Sequence, residues 1–189
     1  MVLAILTALL ALQPYRVRLE TSKGSMVIEV VPRWAPRAAE RFRELVRIGY
    51  YDDSRFFRVT SRWAQFGISG NPALAKKWRD AVFADEGPGD RKSNLRGTVA
   101  FAFAVPHGRS TQVFVNLTDN PRLDAEGFAP FGRVVEGMEV ADALYAGYGE
   151  SSGGGIRGGK QQPLFEGGNV WLDAHFPLLD SLRRALILP

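Results

Sequence analysis

The stretch Ser110-Thr111-Gln112-Val113-Phe114-Val115-Asn116-Leu117 decides how the chain is read. Alternation places Val113, Val115 and Leu117 on one face of a strand, which must be the core. Gln112, Phe114 and Asn116 then share the other face. An aromatic ring set between two amides on an outward face is either a second core or a binding surface. Neighbouring runs repeat the anomaly. Arg58 interrupts the otherwise apolar Phe56–Val59, on the face of Phe56, with Phe57 and Val59 opposite. Thr98–Ala104 is apolar on both faces, with Phe101 and Phe103 on one of them. Together these describe a barrel with a filled interior and an apolar groove outside, bearing one arginine and one or two amides. Such a groove suits an extended apolar peptide.

Working outward, Tyr15, Val17 and Leu19 alternate with charged residues and pair through a turn at 21–24 with a strand over Ser25–Val31. Pro32 and Pro36 stop that strand and open a helix with Ala38, Ala39, Phe42, Leu45 and Val46 on one face, ended by Gly49. Further strands are expected over Phe56–Val59, Trp63–Ile68, Thr98–Ala104, Phe131–Val135 and Ala185–Leu188, and a short helix over Met138–Tyr145. Residues 69–96 read as irregular, and Gly147–Gly168 as a glycine-rich loop. Many short strands and about two helices indicate a β-barrel or sandwich capped by helices.

Composition excludes several chemistries. The 189 residues are 46% hydrophobic and 23% charged, which fits one globular domain. There is no cysteine, so disulfide frameworks, thiol nucleophiles and thiolate metal sites are out. Two histidines, His107 and His175, leave little for a metal site or a Ser–His–Asp triad. The net charge of +4 comes from scattered residues and is no nucleic-acid footprint. Gly153–Lys160 fits two phosphate-loop patterns, yet Gln161 stands where Ser or Thr would bind Mg²⁺ and Pro163 argues against a following helix. Asp52/Asp53 and Asp85/Glu86 read as solvated loop charges.

Residues 1–14 form a separate apolar segment, and the domain proper runs over 15–189. The run Val2–Leu12 is too short to span a bilayer, which takes about 20 residues, but suits the apolar part of a signal peptide. The chain is therefore expected to be exported, periplasmic or membrane-tethered, if this segment acts as a signal, and otherwise cytoplasmic.

At Phe56-Phe57-Arg58-Val59, Ala64-Gln65-Phe66-Gly67-Ile68, Gly97–Ala102, Ser110–Leu117 and Arg122–Val134 the chain resembles the cyclophilins, peptidyl-prolyl cis–trans isomerases, and within them the bacterial members. The resemblance implies a mainly β fold, a closed antiparallel eight-stranded barrel capped by two α-helices. It implies a catalytic Arg58 oriented by Gln65. Phe101, Phe114 and Leu123 would wall a proline pocket, joined by Trp63, Phe66 and Phe128, with Ala102, Phe103 and Gln112 along the peptide backbone. Departures are specific. The segment from Arg58 to Gln65 is one residue shorter than usual, Phe103 replaces a frequent polar residue, Arg122 a tryptophan and Phe128 a histidine. The implied outcome is isomerase chemistry with altered substrate preference and weak cyclosporin binding.

Rotation about an X–Pro bond needs no nucleophile, metal or cofactor. The implied partners are proline-containing segments of client proteins, with no nucleic acid, and the chain is expected to act as a monomer. A second reading keeps the fold and drops turnover: a proline-peptide-binding module or chaperone.

Overall fold

Alternating burial in the first two strands builds the floor of the barrel. β1 (Tyr15–Thr21) and β2 (Gly24–Val30) form the expected antiparallel hairpin, with Tyr15 opposite Val30 and Thr21 opposite Gly24. Val17, Leu19, Met26 and Ile28 have no exposed surface. The computed structural model describes residues 13–87, 89–153 and 161–189. Most of the expected signal segment and the stretch 154–160 of the phosphate-loop look-alike lie outside the described residues.

Helix α1 (Pro36–Arg47) follows the reading closely. Proline opens its first turn, and all five predicted apolar residues are buried against the barrel. Phe42 packs at a tilt, 5.6 Å from Tyr51 and 5.0 Å from Phe131, centroid to centroid. The chain leaves the helix at Gly49, whose φ of +67° is a conformation side chains avoid.

The remaining strands are β3 (Ser54–Arg55), β4 (Arg58–Val59), β5 (Trp63–Phe66), β6 (Thr98–Phe101), β7 (Val113–Asn116), β8 (Pro130–Glu136) and β9 (Ser181–Ile187). They form one antiparallel sheet in the order β3-β9-β1-β2-β8-β6-β7-β5-β4. The fold is mainly β, as expected, with nine strands instead of eight. The extra strand arises because residues 54–59 are split: β3 pairs with β9 while β4 pairs with β5. The two ends of the sheet thus meet through continuous chain at Phe56-Phe57 rather than through a ladder. This break also corrects the facing of the run. Phe56 and Val59 both enter the main core, Phe57 packs in a second cluster outside it, and Arg58 does not share a face with Phe56.

Five helices are present among the described residues where two were expected. Besides α1 and the short α3 (Arg122–Ala125) and α4 (Met138–Asp142), the irregular segment contains α2 (Pro72–Arg79). Asn71-Pro72, read as a turn, is a helix start: the Asn71 side chain accepts from the Ala73 and Leu74 amides. The glycine-rich stretch ends in α5 (Gln162–His175), so Pro163 opens a helix where it was expected to forbid one. Gly168 (φ +54°, ψ −145°) kinks α5 where it presses on α2; a Cβ there would lie 2.2 Å from the Gly70 carbonyl oxygen. Leu164, Phe165 and Leu172 of α5 join Ile68, Ala75 and Phe57 in the second cluster. No helix among the described residues is long and apolar enough to cross a membrane.

Asp85 and Glu86 are not solvated loop charges. Glu86 is buried and accepts from the Ala38 amide at 2.7 Å, and Asp85 pairs with the buried Arg109.

Candidate active site

Strand register assembles the site. Arg58 lies opposite Gln65 across β4–β5, Gln65 opposite Phe114 across β5–β7, and Phe114 opposite Ala100 across β7–β6. Residues directly opposite share a face, so these four form one row across the outside of the sheet. The adjacent row, Val59, Ala64, Val115 and Val99, is the interior one and is buried. An arginine, an amide and an aromatic ring therefore become neighbours because the alternating pattern excludes them from the core.

This row floors a cleft of about 220 Å³. Phe114 and Leu123 are almost completely buried at its base, and Ala102, Trp63 and Phe128 pack around them. Phe128 meets Phe114 edge-on at 5.7 Å, and Trp63 meets it at 6.4 Å from the other side. Leu123 is carried by α3, which Asp124 fastens to the body by accepting from Ser93 and from both nitrogens of Asn94. Burial pushes the Asp124 carboxyl upward, but these donors prevail and hold it below its ordinary value.

Phe103 forms the far wall. Its ring lies 4.4 Å from that of Phe128, and the Arg109 guanidinium covers it at 3.9 Å. Arg109 is buried, pairs with Asp85 and donates to the Gly127 carbonyl at 2.6 Å. Desolvation lowers its pKa to about 10, which leaves it charged at neutral pH.

At the near end Arg58 is fixed on several sides. Its Nη1 donates to Gln65 Oε1 at 3.0 Å, and its guanidinium lies 4.9 Å from the Trp63 ring. Nε and Nη2 donate to the two carboxylate oxygens of Glu150 at 2.8 and 2.9 Å. Because a guanidinium only donates, the Gln65 amide is forced to present its oxygen there and its nitrogen away. That nitrogen donates to Gln112 Oε1 at 2.7 Å, Gln112 Nε2 donates to Gln161 Oε1 at 2.9 Å, and Gln161 Nε2 reaches the Gly153 carbonyl at 3.2 Å. Three buried glutamines thus run from the arginine to the start of α5.

Of the expected site residues, Arg58, Gln65, Trp63, Ala102, Phe103, Gln112, Phe114, Leu123 and Phe128 all line the cleft. Two do not. Phe66 is in the barrel core against Phe56 and Tyr51, because strand alternation turns it away from Gln65. Phe101 is likewise inside, packed on Phe83 and Phe131, one position before the backbone leaves the strand. Phe103 lies past the strand end, so the two rings, expected on one face, are separated. Glu150 and Gln161 were missed. Neither has a local sequence signal, since both lie within the glycine-rich stretch 147–168 that reads as loop.

The chain is similar to known proteins in both sequence and fold. Residues 16–160 match the family model for cyclophilin type peptidyl-prolyl cis-trans isomerases. The peptidyl-prolyl cis-trans isomerase cyp18 of Streptomyces antibioticus is 37% identical over 137 residues, covering 68% of this chain and 81% of that protein. A peptidyl-prolyl cis-trans isomerase of Arabidopsis thaliana is 34% identical over 135 residues, covering 69% of this chain and 80% of that one. Among solved structures, a Cryptosporidium parvum cyclophilin type isomerase superposes with a TM-score of 0.67 at 20% identity, covering 94% of this chain and 99% of the other. Sequence and fold converge, and the chain belongs to the cyclophilin-type peptidyl-prolyl cis-trans isomerases.

Proposed function

We propose that Arg58 lowers the barrier to X–Pro rotation, that Gln65 orients it, and that Phe114, Leu123, Ala102 and Phe128 seat the prolyl ring. The amide barrier is about 18–20 kcal/mol. Turnover of roughly 10–10³ s⁻¹ corresponds to about 13–16 kcal/mol. The site therefore has to supply on the order of 2–7 kcal/mol. In the twisted transition state conjugation is lost and the prolyl nitrogen becomes an acceptor. A guanidinium can donate to it or hold the substrate carbonyl, and one charge-assisted hydrogen bond contributes about 1.5–3 kcal/mol. The apolar cleft adds the remainder by fitting the twisted form better than the planar ones.

The observation that carries this reading is the cross-strand row of Arg58, Gln65 and Phe114, which places a fixed cation at the rim of an aromatic slot. A related Cryptosporidium parvum isomerase has been crystallised in the presence of the dipeptide Ala-Pro, which supports proline-containing peptides as the ligand class. Arg122 on the cleft rim and Phe128 on its wall support weak cyclosporin binding. Export rests on the apolar run at Val2–Leu12, and N-terminal sequencing of the mature protein tests it.

Isomerisation of an Ala-Pro-Phe peptide, followed for wild type and Arg58→Ala, tests the assignment. A large loss of kcat/KM with unchanged melting is expected. Equal rates above background would remove Arg58 from the mechanism, and rates for both no faster than the uncatalysed reaction would favour the non-catalytic peptide-binding module.

A further inference from the structure

We infer that Glu150 is a positioning residue for the reaction, setting the plane and reach of the Arg58 guanidinium. The inference rests on the catalytic reading of Arg58. Glu150 lies 92 positions along the chain from Arg58 and outside every strand, yet both of its oxygens are engaged by one edge of the guanidinium, Nε and Nη2. A two-point carboxylate–guanidinium contact fixes orientation as well as position.

Its location is built. Gly149 turns the chain with a φ of +51°. Two residues beyond Glu150, the buried Ser152 donates to the carbonyl of Phe57, the residue before Arg58, at 2.7 Å. Gly153 closes on the Phe57 ring, where a Cβ would come within 2.5 Å of Cδ2. The carboxylate is thereby tied to the backbone that bears its partner.

Donor counting decides between a clamp and a plug. A guanidinium has five N–H groups. Glu150 takes two and Gln65 takes one, so one on Nη1 and one on Nη2 have no partner among the described residues. The edge that Glu150 covers is not needed for those two to reach a substrate. With Trp63 on the ring face and Gln65 on Nη1, the carboxylate completes a three-sided mount.

The test is Glu150→Gln, which keeps shape and removes charge and one acceptor, with Glu150→Asp and the double variant Glu150→Gln/Arg58→Ala. Misplacement of a catalytic group by about 1 Å can cost up to about 100-fold, and we expect Glu150→Gln to lower kcat about tenfold with KM within about twofold. Glu150→Asp should recover part of the loss. In the Arg58→Ala background Glu150→Gln should change nothing further. The ¹⁵N NMR resonance of Arg58 Nε–H, sharp in wild type, should broaden or shift in Glu150→Gln, a readout that general destabilisation does not move selectively. A faster Glu150→Gln enzyme would make the carboxylate a brake and overturn the inference. An unchanged rate, or an equal loss in the Arg58→Ala background, would also overturn it. If Arg58→Ala alone is fully active, the catalytic reading itself fails, a result distinct from the others.

Discussion

Arg109 lies against the face of Phe103 at 3.9 Å while remaining almost wholly buried. A charged group therefore stiffens an apolar wall of the cleft from behind, held by Asp85 and the Gly127 carbonyl. Replacing Arg109 by methionine keeps much of the volume and leaves Asp85 the His107 amide as a remaining donor. Loss of about 1–3 kcal/mol is expected, below the full value for a sealed ion pair because Asp85 is partly exposed. Urea unfolding measures it, and an unchanged midpoint would show that the pair contributes no net stability.

Phe103 itself should set preference at the residue next to proline. Phe103→Ser opens the wall shared with Phe128. Peptides with a bulky apolar neighbour should lose severalfold in kcat/KM relative to peptides with glycine there. A parallel loss for both peptides would place the effect elsewhere in the cleft.

Arg58→Lys retains charge but cannot reproduce contacts to Glu150 and Gln65 together. We expect kcat/KM to fall about 10–100-fold, roughly 1.4–2.7 kcal/mol of barrier, with little change in melting. Retention of full activity would mean that charge alone suffices.

Two hydrogen-bonded carboxylates, the buried Glu86 and the exposed Asp124, should respond to pH with opposite sign. Burial raises Glu86 above its ordinary value of 4.5, against the opposing pull of the Ala38 and Arg37 amides. Its contribution is present below about pH 4.5 and is lost as pH rises through the raised value. Asp124 is lowered from 3.8, so its contribution is present above that value and is lost as pH falls through the lowered one. Urea unfolding between about pH 3 and 8 should show Glu86→Gln gaining on wild type as pH rises. Asp124→Asn should close its deficit as pH falls. Reversed slopes would contradict the assigned environments.

Period-two patterning carried the barrel and most of the cleft, since Phe114 is excluded from the interior by the same alternation that buries Val113 and Val115. It failed where the backbone departs from regular strand. At Phe56-Phe57 a break puts residues 56 and 59 on one side, and beyond Phe101 the chain leaves the ladder before Phe103. Phe66 was placed in the cleft by the family resemblance, but as the neighbour of Gln65 along a regular strand it faces the opposite way, into the core. Helices α2 and α5 were hidden by start signals that resemble loop signals: Asn71-Pro72 and Pro163 read as breakers, whereas Asn71 caps α2 and Pro163 stands in the first turn of α5. Glu150 and Gln161 act over long sequence separation, and local pattern holds no information about such contacts.

The split of residues 54–59 has a consequence for motion. Arg58 is anchored by a ladder of only two residue pairs, at the place where the sheet's two ends join. Local opening is easiest where backbone bonds are fewest. Amide hydrogen exchange should therefore begin at this join, and the enzyme would shed its reactive cation in a sub-global fluctuation well before the barrel melts. Inactivation on warming would then precede unfolding, with the join as the weak point.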